Sequence, residues 1–307
     1  MSFVLCAGPN PALQRTLRFP QLQWGEVNRA RQKQVSGGGK GTNVARILGQ
    51  LGQAARLLTF VGGAVGDEFL SVLAVEGVEV VPVRTVASTR VCFTLIEDEA
   101  GRQTEIVEEA EPVREEEVGA YLETYRELLP QARAVVISGT SPPGTPATLY
   151  AELVSRAREA GLPVILDAPG ELLLRGVQER PLLAKPNRRE LSALFPELPL
   201  EEQMRKLLEM GAQNVLVTDG PHPAFFLSSD RRLRVVPPEV IAVNPIGSGD
   251  AVAAGIAFAL LAGKELVEAV RFGIACGVAN TQTPLAGHLD PACVERFFPL
   301  VSIREDY

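Results

Sequence analysis

The residues best suited to chemistry lie in segment 243–250, VNPIGSGD, which ends in a single carboxylate. Gly247 and Gly249 free the backbone on either side of Ser248, and the small apolar residues that follow predict a buried helix. The first amides of such a helix have no intrahelical acceptors, so they form a site for an anion. Asp250 could take a proton from a hydroxyl while these amides hold a transferring phosphoryl group. Alternatively, Ser248 or Asp250 simply caps the helix.

A second candidate is the glycine-rich segment 36–46, SGGGKGTNVAR, which precedes a predicted helix. Three glycines followed by Lys40 form a backbone nest that suits hydroxyl or phosphate oxygens. The segment is not a Walker A loop, because Gly41 stands where that loop has serine or threonine. The alternative is a glycine-rich turn that only leads into the helix.

A third candidate combines Asn187 with Glu190 at another predicted helix start. Their spacing places both side chains on one face of the helix. Together they could hold Mg²⁺ through its water ligands, since Mg²⁺ keeps several waters and uses few carboxylates. The same two residues also fit a capping box.

These segments resemble the signatures of the PfkB, or ribokinase-like, carbohydrate kinases. The similarity covers essentially the whole chain and is greatest to the branch that contains 1-phosphofructokinase and tagatose-6-phosphate kinase. It implies an ATP-dependent sugar-phosphate kinase that uses Mg²⁺. The implied acceptor is a ketohexose phosphate, either tagatose 6-phosphate or fructose 1-phosphate. The implied catalytic residues are Asp250 as general base, the anion-hole residues Gly247, Ser248 and Gly249, and Lys40.

The resemblance also implies binding residues for both substrates. Those for the sugar phosphate are Gln14, Gly38, Gly39, Asn43 and Arg90. Those for the nucleotide are Lys185, Asn187, Thr218, Gly220 and Asn280, with Mg²⁺ held through water by Asn187 and Glu190. Three positions depart from the branch pattern: Gln14 replaces the usual aspartate, Thr94 the usual lysine and Pro223 the usual glycine. The first two departures bear on the choice of acceptor.

Composition restricts the class of protein. With 307 residues, 46% hydrophobic and 22% charged, the chain has the make-up of a globular protein. A net charge of −7 argues against nucleic-acid binding, and no apolar run reaches the ~18 residues of a membrane span. Four scattered cysteines without a Cys-x-x-Cys pair are typical of reduced thiols in a cytoplasmic protein. Two histidines argue against a histidine-based zinc site or a histidine-dependent triad.

Strands and helices alternate through most of the chain, which predicts an α/β fold with a doubly wound, mostly parallel sheet flanked by helices. The helix-poor segments at about 14–35 and 88–109 predict a small separate β-sheet, a lid that closes over the substrate and excludes water. We expect a single domain over residues 1–307. In detail, the pattern predicts a strand at 27–35, a helix at 146–160 and, after a strand at 215–218, two long helices.

Other functions stay open at this point. The chain could be a kinase for an unphosphorylated sugar or a nucleoside, or a non-catalytic sugar- or nucleotide-binding protein, because a fold does not fix a function. The intact Gly-Ser-Gly-Asp run favours catalysis. The exposed edges of a lid sheet often need a partner, so we expect a homodimer through the lid, with the sugar phosphate and ATP as the other partners.

Overall fold

The computed structural model describes residues 2–305. Its strands are β1 (Phe3–Ala7), β2 (Ala12–Phe19), β3 (Gln32–Gly38), β4 (Ala55–Gly62), β5 (Glu79–Thr85), β6 (Arg90–Glu97), β7 (Arg102–Val107), β8 (Ala132–Ser138), β9 (Val164–Asp167), β10 (Leu183–Ala184), β11 (Val215–Asp219), β12 (His222–Leu227), β13 (Arg232–Val236) and β14 (Ser302–Glu305). Its α-helices are α1 (Lys40–Gln50), α2 (Gly63–Val75), α3 (Glu115–Leu128), α4 (Leu149–Glu159), α5 (Gly170–Gln178), α6 (Arg188–Leu194), α7 (Leu200–Met210), α8 (Ser248–Leu261), α9 (Leu266–Thr281) and α10 (Pro291–Phe297).

Within residues 2–305, the main sheet has ten strands in the order β14-β13-β12-β11-β10-β9-β8-β1-β4-β5. From β11 to β5 in this order, neighbouring strands run parallel. Every residue of β1 and β9 is buried, as expected for parallel strands covered on both faces. Strands β12, β13 and β14 add an antiparallel edge.

Helices cover both faces of the main sheet. Along β1, Val4 and Cys6 face a hydrophobic core shared with α1, α8 and α9. Phe3, Leu5 and Ala7 face a second core shared with α3, α4 and α5. Successive side chains of a strand point to opposite faces, so a continuous apolar run is what two covered faces require. The predicted doubly wound, mostly parallel sheet is therefore confirmed.

A separate four-stranded sheet, here called the lid, has the order β3-β2-β6-β7. Strand β2 pairs in parallel with β6 and antiparallel with β3, so two segments far apart in sequence form one sheet. The strand expected at 27–35 instead begins at Gln32 and continues to Gly38. Its boundary was wrong because Gly37 and Gly38, which suggested a loop, pair with Leu13 and Ala12 of β2.

The sequence did not predict the antiparallel edge of the main sheet. Strands β12 and β13 form a hairpin, and β14 pairs with β13. Pro223 obscured the pattern, yet it lies beside the register shift between Val217 and Asp219, where a missing N–H is tolerated. The helix expected over 146–160 begins only at Leu149, after the turn in which the Thr145 amide donates to the Pro142 carbonyl.

Helix α8 is almost wholly buried, and α9 packs along it. A Cβ added to Gly255 would lie 2.6 Å from Cys276 Sγ, so glycine permits the close approach of the two helices. No helix among residues 2–305 has the length and apolar character needed to cross a membrane. The single domain expected over 1–307 stays a prediction, and residues 1, 306 and 307 lie outside the described residues.

Candidate active site

Side chains hold the loop before α8 in a fixed shape. Gly247 is the N-cap of α8, with a φ of 81° that glycine adopts without strain. Asn244 Oδ1 accepts a hydrogen bond from the Ile246 amide at 2.9 Å. The Pro245 carbonyl accepts from Ser248 twice, at 2.7 Å from the hydroxyl and at 3.3 Å from the amide. The other first-turn amides of α8 have no intrahelical acceptors, so this preformed loop offers them to an anion, whereas the Ser248 amide would have to exchange its long bond to Pro245.

Asn280 supports this loop from beneath. Its Nδ2 donates to the Ile246 carbonyl at 2.9 Å, its Oδ1 accepts from the His288 amide at 3.2 Å, and the residue is fully buried. The resemblance assigned Asn280 to nucleotide binding, but it does not line the cavities described below. An asparagine at the end of an apolar helix gave no sequence signal for this contact, which joins residues far apart in the chain.

Asp250 lies in the first turn of α8 and is only 5% exposed. Asn43 of α1 donates from Nδ2 to Asp250 Oδ2 at 2.7 Å, so the two glycine-rich segments meet at this carboxylate. Burial raises the pKa of Asp250 to about 6, although Lys40 and the Asn43 hydrogen bond act in the opposite direction. A carboxylate with this pKa is ionised near neutral pH and can accept a proton from a hydroxyl.

Two lysines flank a second buried carboxylate, Asp167. Lys40 Nζ lies 3.0 Å from Asp167 Oδ1 and 3.1 Å from Glu190 Oε1. Lys185 Nζ lies 2.6 Å from Asp167 Oδ2. Burial alone would raise the pKa of Asp167, but the two lysines hold it below its usual value. Burial likewise disfavours charged Lys40, yet Asp167, Asp250 and Glu190 raise its pKa, so Lys40 stays a cation that can face a phosphate.

The sequence analysis did not select Asp167 as a functional residue. The residue ends β9, and ligands in open α/β sheets bind beyond the carboxyl ends of the strands. Its position at the end of a buried strand was therefore the one sequence feature that could have indicated a functional role. A single aspartate after a buried strand forms no motif, however, and its two lysine partners lie on other elements.

A cavity of about 510 Å³, here called the lid cavity, lies between the lid and the start of α8. Its wall contains side chains of β2 and β6, and its far side contains the carboxylate of Asp250. The structure therefore brings the two candidate glycine-rich segments and the lid around one space. The sequence-predicted residues that line it are Gln14, Gly38, Gly39, Lys40, Asn43, Arg90, Lys185, Asn187, Thr218, Glu190, Gly247, Ser248, Gly249 and Asp250.

Arg90 enters the lid cavity from β6. Its guanidinium donates to the carbonyls of Asn10, Pro11 and Glu108 at 3.2–3.4 Å. These are long bonds to neutral acceptors. A phosphate oxygen would be a stronger acceptor, because charge-assisted bonds to guanidinium are shorter and about twice as strong.

A second cavity of about 640 Å³, here called the α9 cavity, lies between the β11–β12 turn and α9. Of the predicted nucleotide residues, Thr218 and Gly220 line it, and much of the remaining wall is apolar, including Val252, Ile274 and Val278. The two cavities share four residues: Thr218, Pro245, Ser248 and Gly249. The loop before α8, at Pro245, and the first turn of α8 therefore form part of the wall between them.

Asn187 and Glu190 form a capping box at the start of α6. Asn187 Oδ1 accepts from the Glu190 amide at 2.8 Å, and Glu190 Oε2 accepts from the Asn187 amide at 3.0 Å. Within residues 2–305, no three His, Cys, Asp or Glu side chains converge on a common metal position. The residues present therefore do not fit a fully protein-coordinated ion. They do fit Mg²⁺ that keeps its waters, because Asn187 and Glu190 both line the lid cavity and could face the water ligands of the ion.

A helix start that can hold an anion, a buried carboxylate beside it and a small second sheet next to a doubly wound sheet are the features expected of a sugar kinase. Residues 12–293 match the family described as pfkB family carbohydrate kinase. Because the match covers most of the chain, this protein belongs to the pfkB family of carbohydrate kinases. The family expected from the sequence motifs is confirmed.

Solved structures agree with this assignment. Phosphofructokinase-2 from Escherichia coli, in complex with potassium, is 30% identical with a TM-score of 0.91 over 98% of this chain and 99% of that chain. The structure of the same protein with fructose-6-phosphate is 30% identical in sequence, with a TM-score of 0.88 over the same shares of the two chains. A Thermotoga maritima protein described as a possible 1-phosphofructokinase is 26% identical, with a TM-score of 0.90 over 99% of this chain and 100% of that one. Ribokinase from Arabidopsis thaliana shows a likeness in fold alone. It is 21% identical, with a TM-score of 0.75 over 97% of this chain and 98% of that one.

Proposed function

We propose that this carbohydrate kinase transfers the γ-phosphoryl group of ATP to a hydroxyl of a ketohexose phosphate, with Asp250 as the general base. One observation supports this above the others: Asp250 lies buried beside the loop that both cavities share, and its pKa of about 6 suits proton transfer. A phosphoryl donor in the α9 cavity and an acceptor in the lid cavity would meet at Ser248 and Gly249.

In the proposed reaction, the acceptor hydroxyl lies beside Asp250 and gives up its proton to the carboxylate. The hydroxyl oxygen bonds to the γ-phosphorus while the bond from that phosphorus to the β–γ bridging oxygen breaks, and ADP leaves. The amides of Gly247, Ser248 and Gly249 hold the transferring group, and Lys40 offsets its charge. Phosphoryl transfer needs little covalent help from the protein, so positioning and electrostatics supply most of the rate.

The nucleotide-binding role divides between the two cavities. Thr218 and Gly220, which line the α9 cavity, are proposed to contact the nucleotide. Lys185 and Asn187, which line the lid cavity, are proposed to face its phosphates. Asn187 and Glu190 are proposed to hold Mg²⁺ through water. When bound, the ion would offset the charge of the phosphate oxygens.

The proposed acceptors are tagatose 6-phosphate, phosphorylated at its C1 hydroxyl, and fructose 1-phosphate, phosphorylated at its C6 hydroxyl. We propose fructose 6-phosphate as a third candidate acceptor, because the similar Escherichia coli phosphofructokinase-2 was crystallised with it. Gly38, Gly39 and Asn43 are proposed to bind sugar hydroxyls together with Gln14, and Arg90 to bind the phosphate already present. Support for these roles comes from the lining of the lid cavity.

A coupled ADP-release assay across a panel of acceptors tests the proposal. The panel contains the three ketohexose phosphates, the corresponding free sugars and a nucleoside. We expect ATP-dependent turnover with at least one phosphate and far less with its free sugar. Turnover restricted to free sugars or the nucleoside would favour a different kinase, and no turnover at all would favour a binding protein.

We also propose that two copies pair through their lids in the cytoplasm. The loop between β2 and β3 exposes Trp24 (84%) and Val27 (78%), and the edge strand β7 exposes Ile106 and Val107. Apolar side chains on an exposed sheet edge are typical of an interface. Light scattering should give the mass of a dimer. Trp24→Ser should shift it toward the monomer, whereas the matched control Leu300→Ser, away from the lid, should not.

A further inference from the structure

Arg46 is a buried charge that the proposed reaction does not use. It is 3% exposed and lies one helical turn after Asn43 on α1. Its Nη1 donates to Asn43 Oδ1 at 3.0 Å, and its Nη2 donates to the Gly37 carbonyl at 2.6 Å. Glu76 Oε2 accepts from Nε at 2.9 Å and from Nη2 at 2.6 Å. A buried guanidinium is costly unless it is paired and hydrogen-bonded, and these contacts meet that requirement.

Arg46 determines which way the Asn43 amide faces. A guanidinium only donates hydrogen bonds, so the Asn43 atom beside it must be the oxygen. The amide nitrogen is thereby turned toward Asp250, whose Oδ2 accepts at 2.7 Å. In the flipped amide, two donors would face each other and two acceptors would face each other, and both contacts would be unfavourable.

Gly287 closes the remaining space around Asn43. A Cβ added to Gly287 would lie 2.4 Å from Asn43 Oδ1 and 2.5 Å from its Cγ. The backbone of this loop therefore packs directly against the amide group. Asn43 is therefore confined between Arg46, Gly287 and Asp250. Because Asn43 occupies Oδ2 of Asp250, the other oxygen of that carboxylate, Oδ1, is the one that the proposed reaction would use.

We propose that Arg46 is a positioning residue for phosphoryl transfer, which acts through Asn43 to hold the Asp250 carboxylate in the orientation that accepts the substrate's proton. Arg46 lines neither the lid cavity nor the α9 cavity, so it does not act by touching a substrate. The inference rests on the proposed role of Asp250 as the base.

Other charges also act on the two ends of this chain of contacts. Asp250 faces Lys40 on α1, Asp167 on β9 and Lys185 directly after β10. Arg46 faces Glu76 at the end of α2 and His288 in the loop before α10. A test must therefore separate an effect of Arg46 transmitted through Asn43 from the direct effect of its charge on the carboxylate.

A double-mutant cycle makes this separation. The four proteins are the wild type, Arg46→Met, Asn43→Ala and the double variant, and the readouts are the acid limb of the kcat–pH profile and the pKa of Asp250 from carboxyl ¹³C NMR. An N–H donated to a carboxylate stabilises its charged form, so its loss should move both readouts upward by about one pH unit in each single variant. The double variant should move no further than Asn43→Ala alone.

Two results would overturn the proposal: an unmoved Asp250 pKa in Arg46→Met, or shifts that add fully in the double variant, which indicate a direct charge effect. The control Arg84→Met removes an exposed arginine paired with Asp67 and should leave both readouts unchanged. The NMR titration needs no turnover. A wild type without kinase activity therefore contradicts the proposed function, while an unmoved titration contradicts only the role of Arg46.

If Arg46→Met does not fold, Glu76→Ala provides the test. Removal of the Glu76 carboxylate frees the guanidinium from two of its hydrogen bonds. Looser positioning of Asn43 should raise the pKa of Asp250, whereas the loss of a negative charge acting alone should lower it. The sign of the shift therefore supports or overturns the proposal.

Discussion

The Gln14 amide donates a hydrogen bond to the Thr94 hydroxyl at 2.9 Å, across the parallel pairing of β2 with β6. Both residues line the lid cavity. They are also the two positions where the chain replaces the usual aspartate and lysine of the branch that it resembles. The two departures are thus in contact, and a neutral hydrogen bond stands where a pair of opposite charges is expected. Replacing both charged residues by this pair leaves the net charge of the cavity unaltered.

Thr94→Val should weaken acceptor binding. The substitution keeps the volume of the side chain and removes the acceptor for Gln14, whose amide then loses its fixed orientation in the lid cavity. A net hydrogen bond is worth about 1 kcal/mol, so we expect the acceptor KM to rise about fivefold with kcat nearly unchanged. Steady-state kinetics at saturating ATP measures both. Thr104→Val on the exposed strand β7 is the control, and an equal effect there would contradict the role of the pair.

Arg90→Ala should weaken binding of a phosphorylated acceptor far more than that of its free sugar. Arg90 is proposed to exchange its long bonds to backbone carbonyls for charge-assisted bonds to phosphate, each worth about 1.5–3 kcal/mol. We expect at least about a tenfold rise in the acceptor KM. Arg18→Ala, at the outer end of β2, is the control. An unchanged KM in Arg90→Ala would indicate that the natural acceptor carries no phosphate.

Asp250→Asn should lower kcat by at least about 10²-fold, the low end for loss of a general base. The side chain keeps its size and its neighbour Asn43, so ATP should bind with nearly the wild-type Kd. Single-turnover kinetics and isothermal titration calorimetry measure the two quantities. Asp230→Asn, in the exposed turn after β12, should behave as the wild type. Near-normal turnover in Asp250→Asn would remove Asp250 from its proposed role.

The same substitution should stabilise the fold at alkaline pH. Because the folded-state pKa of Asp250 is raised from 3.8 to about 6, the native state binds the proton more tightly than the unfolded state. The free energy of unfolding then falls as pH rises through this window, and the ionised carboxylate costs on the order of 3 kcal/mol above it. Urea unfolding should show Asp250→Asn more stable than the wild type at pH 8, with most of the difference gone at pH 4.5. A gain that is equal at both pH values would contradict this account.

Gly287→Ala should reduce both stability and activity. The residue has a φ of 65°, and an added Cβ would lie 2.4 Å from Asn43 Oδ1. Gly263→Ala is a matched control, because its φ of 81° imposes a similar strain while nothing lies within 4 Å of the added Cβ. Gly263→Ala should lose about 1 kcal/mol in urea unfolding from the backbone strain alone. Gly287→Ala should lose about 1–3 kcal/mol more, because its added Cβ also clashes with buried Asn43. Only Gly287→Ala should also lose kcat, by about 10²-fold, because it displaces Asn43 beside the base.

Much of the fold could be predicted from local pattern. Phe3–Ala7 is wholly apolar, which is typical of a strand covered on both faces, and the alternation of strands with helices defined the main sheet. The hairpin of β12 and β13 was missed because Pro223 interrupts the pattern of β12. In β13, Arg232 and Arg234 alternate with apolar residues, which is the pattern of a half-covered strand and was an available signal. Strand β12 tolerates Pro223 because its pairing with β11 shifts register at that point. Such a shift belongs to the pairing of the two strands and cannot be read from the sequence of either one.

The candidate site shows the same division. Residue type and spacing sufficed to select Lys40 and Asp250, because a glycine nest and a helix start are short motifs. Asn43 was expected only from the resemblance to the carbohydrate kinases. Asp167 and Arg46 were not selected, since their partners belong to other elements. Local pattern carries no information about which distant side chains meet.

The contact between Asn43 and Asp250 joins residues 207 positions apart. During synthesis, the glycines proposed to bind the sugar and the whole lid therefore leave the ribosome long before Asp250 and the loop proposed to hold the phosphate have been made. Truncated translation products would contain the residues proposed to bind the acceptor but would lack the proposed base. Catalytic competence should thus arise in a single late step of synthesis, once the segment around Gly287 has emerged and packed against Asn43.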